Sequence, residues 1–161
     1  MTRKLYLVPA ALLLAATLLA PDAHAFGVSG IGGKLGYTNP EDLDGGMMIG
    51  GHLEMEEPGT RWHLLPSVLY WNTDDASGLS GNFDAYYHFG PQYSTTPYLG
   101  AGLGVFHSEV GGAEDTNLGA NLFGGLRFPG PGAHYFVEGR YATAEPSALS
   151  LLGGATFHFG H

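Results

Sequence analysis

The chain has eight histidines against six lysines and arginines together. His52, His63, His88, His134 and His158 fall in alternating segments, in phase with Lys34, Glu54, Glu56, Arg61, Asp84, Arg127, Glu138 and Arg140. Imidazoles among carboxylates and guanidinium groups permit three kinds of chemistry. Three or four of them converging ~2 Å from one point would ligate a metal. A histidine titrating near neutrality would sense protons. Bonded to one another, the same side chains would fill a polar interior. The filled interior uses every residue without asking three ligands to converge, and it is the reading adopted, with no metal, cofactor or catalytic residue assigned. Binding or pH gating through the histidines is the alternative.

Two further groups bear on chemistry. His107, Ser108 and Glu109 contain a base, a nucleophile and an acid. Consecutive strand residues point to opposite faces, so these three do not readily form one catalytic unit. A lipid-modifying enzyme is therefore the least favoured function. Glu41, Asp42, Asp44, Asp74, Asp75, Glu109, Glu114, Asp115 and Glu145 lie between the alternating segments and form an acidic crown. Hard divalent cations would bridge such carboxylates to anionic lipopolysaccharide, although no D-x-D-x-D-G calcium loop is present. With no cysteine, thiol chemistry and disulfides are excluded.

The elements that must position these residues have a period of two. Eight segments alternate, over 27–37, 46–56, 60–71, 80–89, 97–107, 117–128, 134–143 and 148–159. Each is near the ~9–11 residues that a tilted strand needs to cross a bilayer. Thr38–Gly45, Asn72–Leu79, Ser108–Thr116 and Ala144–Ser147 are read as loops, the first three the longer ones. Glu57–Gly59, Gly90–Thr96 and Pro129–Ala133 are read as turns rich in Pro and Gly. Long loops on one side and short turns on the other suit an outer-membrane barrel.

Charge sorting decides which face meets lipid. One face of each segment carries residues such as Ile49, Val68, Leu103 and Val137 and no charge, whereas the basic residues fall on the other. A basic side chain facing lipid at the midplane would cost ~2–4 kcal/mol. A soluble barrel would show the reverse polarity. Pairing across the turns places Glu56 opposite Arg61, Glu54 opposite His63, His63 beside His88, Arg127 opposite His134, and His134 opposite His158. Pro66 lacks a ladder donor and predicts a bulge. Inward Gly100, Gly102, Gly104, Gly119, Gly125 and Gly154 leave room for Leu65, Leu69, Trp71, Tyr86, Phe106, Phe123 and Phe136, so no substantial pore is expected.

The first 25 residues combine Arg3 and Lys4, an apolar run from Leu5 to Ala20, and Ala23-His24-Ala25 before Phe26. They read as a signal peptide, leaving 26–161 as a single barrel domain. Without them Lys34, Arg61, Arg127 and Arg140 are the only lysines and arginines, so the chain is a poor partner for nucleic acid.

Thr96-Pro97-Tyr98-Leu99-Gly100-Ala101-Gly102-Leu103-Gly104-Val105 resembles a strand of the small outer-membrane barrels of the opacity-protein and OmpA-like group. Asn82–Phe89, Phe136–Tyr141 and Gly154–Phe159 are similar to neighbouring strands of that group. The resemblance spans the chain after the signal peptide and is one of fold. It implies an all-β, eight-stranded, antiparallel up-and-down transmembrane barrel with a polar, filled interior. It implies residence in the outer membrane, lipid and lipopolysaccharide as surroundings, delivery by the insertion machinery, and no shared catalytic residue. The expectation is a monomer with a structural or adhesive role in the envelope.

Overall fold

The computed structural model describes residues 26–159. The signal peptide expected at 1–25 lies outside the described residues. Eight strands follow one another: β1 Gly27–Pro40, β2 Gly46–Glu56, β3 Trp62–Asn72, β4 Ala76–His88, β5 Thr96–Val110, β6 Ala113–Gly130, β7 Ala133–Ala142 and β8 Ala148–His158. Each pairs antiparallel with the next, and β8 pairs with β1 to close the barrel. Closure matters physically, because an open sheet edge in hydrocarbon would leave backbone donors and acceptors without partners. An 11-residue strand such as β2, tilted by ~40°, rises roughly 28 Å, enough to cross the ~25 Å apolar band of such barrels.

Alternation puts large apolar side chains outside. Ile49, Val68, Leu103, Leu122 and Val137 are exposed, with Leu103 at 69%. Trp62, Phe89, Phe128, Tyr135, Phe157 and Phe159 are also exposed, toward the end holding the chain termini. Trp62 meets Tyr87 edge-on at 5.3 Å between ring centroids, and Tyr87 meets Phe89 at 5.2 Å. Amphipathic rings of this kind favour the membrane–water interface.

The interior is packed. Met48, Leu69, Trp71, Ala76 and Leu152 form an apolar cluster, with Leu43 of the first loop against it. Leu65, Tyr86, Tyr98, Phe123 and Phe136 form a second one. Glycines admit these rings: a Cβ at Gly100 would meet the Phe123 ring, and one at Gly154 the Phe136 ring. The space left between Leu65, Tyr86, Tyr98 and Phe136 is about 20 Å³, on the scale of one water molecule.

Several boundaries differ from the sequence expectation. Ser108–Thr116 is not a loop. β5 and β6 continue through it and meet at a two-residue turn, Gly111–Gly112. Both glycines have positive φ, 58° and 83°, which suits a hairpin turn whose twist matches its strands. The loop expected at Asn72–Leu79 contracts to 73–75, and the turn at Pro129–Ala133 to 131–132. The longest connection, 89–95, is at the terminus end, so connection length does not separate the two ends. Instead the β5–β6 hairpin projects from the opposite end.

Two register expectations are corrected as well. The connection after β2 spans 57–61 rather than three residues, which shifts β3 by two: Glu56 pairs with His63, not Arg61. Pro66 does not cause a bulge. The β2–β3 register stays constant across it while the Leu53 and Glu54 pairings are missing, because proline has no N–H to donate there. The irregularity in this part of the sheet is in β1, between Val28 and Gly30.

Candidate functional site

The inward charges collect into two networks. The first joins β1, β4, β5, β6 and β7. Arg140 donates from Nη1 to Asp84 Oδ2 at 2.8 Å and from Nε to Glu138 Oε1 at 3.0 Å. Lys34 Nζ lies 3.6 Å from Glu138 Oε1, and the Tyr98 hydroxyl donates to Glu138 Oε2 at 3.1 Å. Asn121 donates to Asp84 Oδ1 at 3.0 Å and to Asn82 at 2.9 Å. The Arg140 guanidinium also lies over the Phe123 ring, 4.4 Å from its centroid. All four charged groups are buried, so each opposite charge is needed to offset the desolvation of its partner.

The second network lies nearer the termini. Glu54, fully buried, has His63 Nδ1 at 2.9 Å, His134 Nε2 at 3.3 Å and Arg127 Nη2 at 3.8 Å. Glu56 Oε2 stands 3.9 Å from the same His63 Nδ1. His63 stacks on Tyr86 at 4.7 Å and lies 5.1 Å from the His88 ring. His134 Nδ1 and His158 Nε2 are 3.0 Å apart, and His52 Nε2 is 2.8 Å from Thr156 Oγ1. An open cavity of about 310 Å³ beside Arg127, His134 and His158 is also lined by Gln92 and Tyr93 of the 89–95 connection.

The alternation phase placed the inward residues, and the networks themselves follow from distances across the barrel. Lys34, His52, Glu54, His63, Asp84, His88, Arg127, His134, Glu138 and Arg140 are all buried. Glu56 and His158 are half-buried. Arg61 is not inward: it precedes β3 in the five-residue connection and is exposed. Arg127 pairs with Phe136 and His134 with Pro129, so those two meet at Glu54 rather than directly across the ladder. On β8 His134 pairs with Thr156, not with His158 as expected, and meets His158 through its side chain alone. Tyr98, Asn121, Asn82 and Thr156 belong to the networks and were not singled out from sequence; their inward phase was the one signal that marked them.

The trio His107, Ser108, Glu109 does not assemble. Ser108 is buried, whereas His107 and Glu109 are exposed on the opposite face of β5. His107 Nδ1 instead lies 2.9 Å from Thr116 Oγ1 on β6.

No protein-family model matches the chain, and no curated protein sequence does. Solved structures do. Neisserial surface protein A (NspA) aligns with a TM-score of 0.67 at 17% identity, over 81% of this chain and 96% of that one. The outer membrane enzyme PagL aligns at 0.59 and 15% identity, over 81% of this chain and 100% of the other. Ail, the attachment invasion locus protein of Yersinia pestis, in complex with the heparin analogue sucrose octasulfate, aligns at 0.53 and 14% identity, over 81% and 99%. The closed antiparallel barrel is what these proteins share with it: the chain has the fold of the small eight-stranded outer-membrane β-barrels.

Proposed function

We propose that this protein is an integral outer-membrane barrel with a structural or adhesive role at the cell envelope, and that it carries out no catalysis. The observation that carries this reading is the closed belt of exposed apolar side chains around an interior filled by rings and ion pairs. Such a belt is stable in lipid and a liability in water. The filled interior supports a barrel that conducts no steady current.

PagL and Ail mark the neighbouring possibilities, since one is named an enzyme and the other an attachment protein. The split of Ser108 from His107 and Glu109 weighs against acyl chemistry at that rim. The outer end also differs from what would hold a sulfated ligand. Glu41, Asp42, Asp44, Asp74, Asp75 and Glu114 are acidic and exposed or half-exposed there, so this end favours cationic partners or lipopolysaccharide bridged by divalent cations. Delivery by the outer-membrane insertion machinery and a monomeric state complete the proposal.

Membrane fractionation with a heat-modifiable mobility test is the deciding experiment. We expect the protein in the outer membrane, migrating faster unheated than boiled. Recovery from the soluble periplasm with no heat shift overturns the reading. Steady conductance in planar bilayers, or altered lipid A in a deletion strain, would replace it with a channel or an enzyme.

A further inference from the structure

Glu54, Glu56 and His63 each bring a ligand atom to one place, with these atoms all within 4.8 Å of one another. Glu54 and Glu56 are two apart on β2, so both side chains point inward, and His63 is the ladder partner of Glu56 on β3. The close pair within this group is not a formed hydrogen bond. His63 Nδ1 is 2.9 Å from Glu54 Oε1, yet neither His63 nitrogen nor either Glu54 oxygen has an aligned hydrogen-bond partner, although all four atoms are buried. Buried polar atoms left without partners cost ~1–3 kcal/mol each. A nitrogen and an oxygen 2.9 Å apart but not aligned for a hydrogen bond have the spacing of two ligands of one ion, which sit roughly 3 Å apart when each is ~2 Å from the metal.

The surroundings supply the outer contacts such a site needs. His134 Nε2 stands 3.3 Å from Oε2, the other Glu54 oxygen. His88 Nδ1 lies 2.8 Å from the Gly90 carbonyl, which can only accept, so the proton is on Nδ1 and His88 Nε2 is a bare acceptor. That acceptor is buried and has no partner. Once His63 gives Nδ1 to an ion, its proton moves to Nε2, and the His88 ring 5.1 Å away offers the acceptor. Ligating histidines commonly use their second nitrogen in this way. Access is on one side: the Glu56 side chain is 35% exposed and that of His63 1%.

We propose that Glu54, Glu56 and His63 form a binding site for a borderline divalent transition ion of the zinc class, loaded from the terminus end of the barrel. One imidazole with two carboxylates favours zinc, cobalt, manganese or iron(II) over calcium, which prefers oxygen alone. Arg127, 3.8 Å from Glu54 Oε1, leaves the three ligands with a net charge of −1 and limits the affinity.

The test uses protein purified from membranes, stripped with chelator and titrated with Co²⁺, then with Zn²⁺ in competition. The expected result is a visible cobalt absorption band that saturates at one equivalent and is abolished by Zn²⁺. Glu56→Gln and His63→Gln should each weaken Co²⁺ binding by at least about tenfold. Glu56 is half-exposed, so its variant should retain heat-modifiable mobility and report on binding alone. An absent band in the wild-type protein overturns the proposal. So does a band unchanged in Glu56→Gln, because the ion would then be held elsewhere, for example at His134 and His158.

Discussion

Arg140 on β7 reaches across the barrel to place Nη1 2.8 Å from Asp84 Oδ2 on β4, although the two residues are 56 positions apart in the chain. Both side chains are at most 3% exposed. Replacing Arg140 with Met leaves Asp84 charged and buried, with Glu138 likewise deprived of a partner. A loss of about 3–5 kcal/mol is expected. Urea unfolding of the barrel in lipid vesicles measures it. The double variant Asp84→Leu/Arg140→Met should lose less than the sum of the two single variants, because it removes both charges together.

Lipid-facing positions should respond to charge according to depth. Leu103 is central in β5 and exposed, so Leu103→Arg should cost about 2–4 kcal/mol in the same vesicle assay. Glu109 has the same outward phase but lies at the projecting end of the strand. Glu109→Arg should change stability by no more than about 0.5 kcal/mol. Equal effects at both positions would place the apolar band elsewhere on the barrel.

Ring packing against glycine gives an optical readout. A Cβ at Gly78 would meet the Trp71 ring before anything else. Gly78→Ala should therefore cost about 1–3 kcal/mol, with Trp71 displaced. The other tryptophan, Trp62, is exposed on the outer surface, so a Trp62→Phe background isolates the Trp71 signal. A shifted Trp71 emission in the folded barrel is the expected outcome.

Orientation follows from the two ends. An epitope inserted between Gly111 and Gly112, where the turn is open, should be reached by antibody on intact cells. The same epitope after Gln92, in the 89–95 connection, should be reached only after permeabilisation. The reverse pattern would invert the barrel.

Much of this fold was legible because lipid and interior impose opposite chemistry on alternate residues. The phase of Ile49, Val68 and Leu103 identified the outer face, and His52, Glu54, Lys34 and Arg140 the inner one. What was misread had a local cause. Ser108–Thr116 is polar, so it read as a loop, yet beyond the bilayer a strand has no need of apolar residues. Arg61 and the β2–β3 register depended on whether the turn held three residues or five, and a hairpin's register is set by its turn. The first network was not legible, and of the second only the neighbours Glu54 and His63, His63 and His88, and His134 and His158 were. Asp84 and Arg140 meet, and Glu54 meets His134, through the interior rather than along a ladder, and no sequence spacing encodes that distance.

The projecting hairpin also carries an asymmetry. β4 follows β5 out to Val110, but β7 joins β6 only from Asn121 onward. Residues 113–119 of β6 thus have no neighbouring strand on one side. The 143–147 connection reaches this edge only from Asn117, whose Nδ2 donates to the Glu145 carbonyl at 3.3 Å, which leaves 113–116 open. An unpaired edge is a template on which other chains can add strands. Glu114 and Asp115 stand at its tip, and Asn117 is tied back to Asp115 at 2.9 Å. Two carboxylates along an exposed edge repel an identical edge from a second molecule. The acidity of this edge therefore also opposes the addition of a strand from a second copy of the chain.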